Sequence, residues 1–141
     1  MDVKFKKLYP EAKAPTYATD DDAGMDFYAL EDTTILPMER KLVRTGIAME
    51  IPKGYVGLVW DKSGVSYKKG QIKTSGVLDS GYRGEINIVM INITGESYTF
   101  EKHDKVAQML IQEKVTANLI EVDELSGSER GEGGFGSTGH K

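Results

Sequence analysis

Gly76-Val77-Leu78-Asp79-Ser80-Gly81-Tyr82-Arg83-Gly84-Glu85-Ile86-Asn87-Ile88-Val89-Met90-Ile91-Asn92 is the stretch that decides the fold. Its front half is turn chemistry, since Asp79, Ser80, Gly81 and Gly84 bend a chain and tolerate unusual dihedrals. Its back half alternates with period two. Ile86, Ile88 and Met90 form one apolar row, and Glu85, Asn87, Val89 and Ile91 form a second row that becomes apolar. The pattern predicts a strand running into a core. A carboxylate, Asp79, and an aromatic, Tyr82, therefore ride on a tight bend fed by a rigid strand, where chemistry is commonly placed. A hairpin whose Asp bonds only its own backbone satisfies the same residues.

The rest of the chain keeps the same punctuation. Val3 to Leu8 alternates apolar and basic residues, as a lysine-guarded edge strand does. Met25, Phe27 and Ala29 share a row with Asp26 opposite. An Asp in a strand needs a reason, the plainest being a cap on a neighbouring amide. Lys41 to Ile51 puts Val43, Ile47, Met49 and Ile51 on one row, and Ile51-Pro52-Lys53-Gly54 fits a type I turn. Tyr55 to Trp60 is another strand, and Asp61 to Gly70 breaks the pattern, a stretch that can hold a short helical turn ended by Gly70. Lys105 to Val115 is apolar on both strand rows and nearly all round as a helix. The spacing of turns every eight to twelve residues selects strand, and Gln108 in its row needs a hydrogen-bond partner. The pattern predicts an all-β fold, a jelly-roll-like barrel or sandwich with at most one short helix.

Composition removes several function classes. The 141 residues suit one domain. With no cysteine and only His103 and His140, there is no disulfide frame, thiolate nucleophile or zinc site to be read. A net charge of −4 disfavours a nucleic-acid groove. No apolar run reaches membrane length and no signal peptide is visible, so a soluble, cytoplasmic protein is expected. Ser126 to Lys141 holds six glycines in sixteen residues and forms no core element. We expect a barrel domain over 1–125 and a flexible Gly-rich C-terminal arm over 126–141. Composition alone makes the arm a plain disordered tail. Its Gly amides, hydroxyls and Arg130 can equally wrap a phosphate.

Five segments taken together resemble the homotrimeric, all-β deoxyuridine triphosphatases. They are Ala23-Gly24-Met25-Asp26-Phe27, Asp61-Lys62-Ser63-Gly64, Gly76 to Glu85, Asp104-Lys105-Val106-Ala107-Gln108, and Arg130-Gly131-Glu132-Gly133-Gly134-Phe135-Gly136-Ser137-Thr138-Gly139. The third and fifth are the specific ones, and the five cover nearly the whole chain in family order. The resemblance implies hydrolysis of dUTP to dUMP and pyrophosphate by water attack on the α-phosphorus. That activity limits uracil in DNA and supplies dUMP for thymidylate synthesis.

Residue by residue, the resemblance implies that Asp79 orients and activates the water. A carboxylate is a weak base at neutral pH, so orienting is the larger part. Tyr82 lies against the deoxyribose and excludes a 2′-hydroxyl. Gly76, Val77 and Leu78 read the uracil edge with Asn87 nearby. Lys62, Ser63, Gly64 and Gln108 hold the phosphate chain. Arg130, Gly136, Ser137 and Thr138 close on the γ-phosphate, and Phe135 stacks on the base. Mg2+ rides mainly on the triphosphate, with Asp26 acting through bound water. Three chains share each active site; neither nucleic acid nor a membrane is an expected partner. The chain departs from the usual pattern at Lys62 (Arg is usual), at Lys73 (often Asn) and at His103 (often Gly). A dCTP deaminase of the same fold and a nucleotide-dependent regulator are the rival readings, which assays on dUTP, dCTP and UTP separate.

Overall fold

A computed structural model describes residues 1–134 and gives eleven strands and one helix there. The strands are β1 Lys4–Lys7, β2 Met25–Tyr28, β3 Thr33–Ile35, β4 Arg40–Arg44, β5 Ile47–Glu50, β6 Tyr55–Asp61, β7 Gln71–Lys73, β8 Val77–Asp79, β9 Asn87–Asn92, β10 Tyr98–Phe100 and β11 Lys105–Glu113, with α1 at Ser63–Lys69. Every pairing is antiparallel. Three of them nest: β2 with β11, β3 with β10, β4 with β9. A ribbon that folds back on itself in this way and then rolls up is the jelly roll, so the expected architecture is the one found.

The rows read from the sequence fill the interior. Ile86, Ile88 and Met90 are buried together with Phe27, Ile35, Val43, Ile47, Met49, Phe100, Val106 and Met109. Asn92 continues the Ile86 row into the core without being apolar. It accepts from Gln71 Nε2 at 3.0 Å and donates to the carbonyls of Ile35 and Glu96 at 3.0 and 2.7 Å. Its amide thus ties β7, β9 and β3, which is how a buried polar group avoids its desolvation cost. Residues 105–113 form a strand, and Gln108 Nε2 finds the Asp61 carbonyl at 2.9 Å.

Two local expectations change. The row over 41–51 is two strands with different partners, broken at Gly46, whose φ is +70°. The turn after Ile51 runs one residue later than expected. Tyr55 N–H donates to Pro52 O, and Gly54 takes the third place with φ +89°, the positive dihedral of a type II turn. Thr33–Ile35 is a strand whose brevity hid it from periodicity. His103, where Gly is often found, sits at φ +70°, and its ring Nε2 meets Glu11 O at 2.8 Å, a contact that a Gly could not make. α1 ends on Gly70 in the left-handed region, as its position suggested.

Candidate active site

β8 is the outer strand of the sheet β2-β11-β6-β8. One of its edges pairs with β6 (Leu58 with Val77, Gly57 with Leu78, Val56 with Asp79), and the other is unpaired among the described residues. Across from it stands β9. Between them lies a cleft of about 230 Å³ lined by Val59, Gly76, Val77, Leu78, Asp79, Tyr82, Glu85, Ile86, Asn87 and their neighbours. That volume falls below the roughly 300–1,000 Å³ of pockets that enclose whole small ligands. It suits one ring rather than a nucleotide.

Each wall has a local cause. Gly76 approaches β6 so closely that a Cβ there would sit 2.7 Å from Val59 O, and its own carbonyl takes the Val59 N–H at 2.7 Å. The backbone carbonyl of Asp79 closes the bend by accepting the Tyr82 N–H at 3.0 Å. Tyr82 lies back over Gly84, its hydroxyl donating to Glu85 O at 2.9 Å. A Cβ on Gly84 would fall 2.6 Å from Tyr82 Cζ. At the cleft, Asn87 is half-buried, and its Oδ1 has no hydrogen-bond partner among the described residues. A buried acceptor left open is costly unless a donor arrives.

Glu85 escaped the sequence reading. Its Oε1 accepts the Gly46 N–H at 2.9 Å and its Oε2 accepts from Arg44 Nη2 at 3.0 Å, while the Arg44 guanidinium lies 4.7 Å from the centre of the Tyr9 ring. This network clamps the end of the bend to β4 and the Gly46 corner. The partners lie about forty residues apart, so no local pattern announces them.

A second constellation occupies the opposite edge of the same sheet. The Asp26 side chain, 4% exposed, does not cap an amide. Its Oδ1 holds Lys62 Nζ at 2.5 Å and its Oδ2 holds Lys105 Nζ at 2.6 Å. Burial raises the Asp26 pKa, but the hydrogen bonds from Lys105 and Lys62 outweigh it and leave the pKa below the ordinary aspartate value. Lys105 was also missed, although it follows Asp104 in the fourth motif. Ser63 and Gly64 open α1 directly after Lys62, and Gln108 pairs across from Asp26.

The two constellations do not meet within one chain. Asp79 pairs with Val56, and the step from Val56 to Lys62 along β6 spans about 20 Å of extended chain. Beyond Glu113 no strand occurs among the described residues, and nothing there lines the cleft. Arg130 is exposed and donates from Nε to Gly133 O at 2.7 Å within its own turn. Phe135, Gly136, Ser137 and Thr138 lie outside the described residues.

Lys73 was given no role in the sequence reading. Its Nζ lies 5.6 Å from the Trp60 ring centre and beside Gly76, just outside the cleft.

A family model described as dUTPase matches residues 10–139. The deoxyuridine 5'-triphosphate nucleotidohydrolase of Nautilia profundicola is 47% identical over 141 residues, covering 99% of each chain. That of Clostridioides difficile is 45% identical over 139 residues, 97% of each chain. The Staphylococcus bacteriophage 80alpha dUTPase, solved with dUPNHPP, matches with a TM-score of 0.92 at 32% identity over 98% of both chains. A mutant dUTPase of S. aureus phage phi11, solved to show the coordination of a structural Mg(II) ion, matches with a TM-score of 0.83 at 29% identity, over 88% of this chain and 98% of that one.

Proposed function

The chain belongs to the dUTPase family, hydrolases of dUTP, and on that premise we propose that its cleft takes the uracil ring while Asp79 orients the attacking water. The observation that carries this reading is the free edge of β8, which with Asn87 lines a cleft sized for one ring. A sheet edge offers alternating N–H and C=O groups, the complement of a pyrimidine's carbonyl and imide edge. Asn87 Oδ1 is an acceptor waiting for a donor, which the imide N–H is. Tyr82, packed back over Gly84, forms the wall on which a deoxyribose rests and a 2′-hydroxyl collides.

In the chemical step a water oxygen bonds to the α-phosphorus and the α–β bridging P–O bond breaks. Pyrophosphate leaves with the bridging oxygen and dUMP keeps the water oxygen. Asp79 holds the water in line and accepts its proton as the bond forms.

The triphosphate must be gripped within a few ångströms of that water, yet Lys62, Ser63 and Gly64 of the same chain lie about 20 Å along β6. A site completed by other copies resolves the conflict, in keeping with a homotrimer. Val115, Leu119, Ile120 and Leu125 are exposed after the last strand, apolar surface that a second copy would cover. We assign the barrel to 1–125 and a closing arm to 126–141, with Arg130, Gly136, Ser137 and Thr138 on the γ-phosphate and Phe135 on the base.

Among the described residues no three acidic or histidine side chains cluster to cage a metal. One buried carboxylate suits Mg2+ that keeps its waters and phosphate oxygens, so Asp26 would hold it through water. When bound, the ion neutralises charge on the triphosphate.

The test is pyrophosphate release from dUTP, with UTP and dCTP as controls, in 18O-labelled water. Turnover of dUTP at least about a hundredfold above both controls, with the label in dUMP, supports the reading. Label in pyrophosphate, or dCTP turned over as fast as dUTP, overturns it.

A further inference from the structure

Asp26 lies on β2, fixed between the Thr16 bridge and Gln108 of β11, so it cannot follow a ligand. Its two partners can move. Lys62 and Lys105 reach it with flexible stems, and their side chains are 26% and 45% exposed against 4% for the carboxylate. Each Asp26 oxygen holds one ammonium. Lys62 immediately precedes Ser63 and Gly64, so the cation nearest the phosphate-binding turn is already engaged. Taking an ammonium away leaves a buried carboxylate short of its partner, which is strongly unfavourable unless another positive charge replaces it.

We infer that Asp26 is a gate on metal-free polyphosphate: it holds Lys62 and Lys105 until a hydrated divalent cation replaces an ammonium at the carboxylate and releases it to the phosphate chain. The inference rests on the reading that this cluster meets the triphosphate. Metal and polyphosphate binding are then coupled, each strengthening the other by the same factor. Lysine suits this exchange because a compact ammonium on a flexible stem gives up one oxygen for another without breaking a two-point fork, as Arg would have to do.

Inorganic tripolyphosphate tests the inference without the base. Its affinity is measured calorimetrically for the full chain in EDTA and in magnesium chloride. The parent should bind about tenfold or more tightly with magnesium. Asp26→Asn should bind about tenfold tighter than the parent in EDTA and gain little from magnesium, since one negative charge beside the anion is gone. Lys62→Gln leaves Asp26 one partner short, so its fold is checked by a melting curve; the folded variant should lose little affinity in EDTA, where Lys62 is held by Asp26. With magnesium it should lose about tenfold. The gate is overturned if Lys62→Gln loses the same factor in both buffers, or if folded Asp26→Asn binds no tighter than the parent in EDTA. A parent showing the coupled pattern with tripolyphosphate while ignoring a non-hydrolysable dUTP analogue supports the gate and sinks the uracil reading.

Discussion

Replacing Gly84 by Ala should damage sugar discrimination while leaving the fold intact. The new Cβ would fall 2.6 Å from Tyr82 Cζ and 3.0 Å from Cε2. Carbon atoms rest about 3.5–4.0 Å apart, so the ring must retreat by about 1 Å. It can do so because Tyr82 is 47% exposed and bordered by solvent. Two stability effects then nearly cancel. The retreating hydroxyl loses its bond to Glu85 O, worth about 0.5–1.5 kcal/mol at most in this exposed place. Ala for Gly at a φ outside the left-handed region returns about 0.4–1 kcal/mol through the unfolded chain. Thermal unfolding should shift by only a few degrees. A wall displaced by about 1 Å can cost about a hundredfold in rate. We expect kcat/KM for dUTP to fall about tenfold to a hundredfold and UTP much less, lowering their ratio about tenfold. Gly81→Ala is the matched control, on the same bend with open space around its Cβ, and should behave as the parent. Steady-state kinetics on both nucleotides, beside a melting curve, decide it. A folded Gly84→Ala protein whose dUTP/UTP ratio stays within about twofold of the parent refutes the role of the Tyr82 wall.

Asp79→Asn should retain binding of a non-hydrolysable dUTP analogue and lose about a thousandfold in turnover, and single-turnover kinetics showing only a few-fold loss would remove Asp79 from the chemistry. Asp26 has a folded pKa below its unfolded one, so below about pH 4 the unfolded chain binds more protons and stability falls as pH drops through the folded pKa. Urea titrations from pH 6 to pH 2 should show that slope in the parent and a flatter one in Asp26→Asn; equal slopes would mean that the pair with Lys62 and Lys105 does not persist in solution. Removing 126–141 should leave assembly and nucleotide-free melting unchanged and abolish turnover. Sedimentation and a pyrophosphate assay check this, and a truncated chain that stays active makes the arm dispensable.

The sequence by itself determined the class of fold and most of its interior. Period-two rows such as Ile86-Ile88-Met90 state which face is buried wherever a strand has one face in and one out. Turn residues that tolerate dihedrals others avoid, Gly70 and Gly81 among them, marked several ends. The order of the five motifs named the family. What stayed hidden was long-range. Periodicity has no purchase on a three-residue strand like Thr33–Ile35, and a row running through Gly46 conceals that its halves pair with different strands. The charges on Asp26 come from positions 36 and 79 residues along the chain, and the clamp on Glu85 from 41 and 39 residues back. An ion pair has no sequence period. Only closure of the roll decides which cations reach a buried carboxylate, and the tertiary structure alone revealed that Lys62, readable as a phosphate ligand, already has a partner.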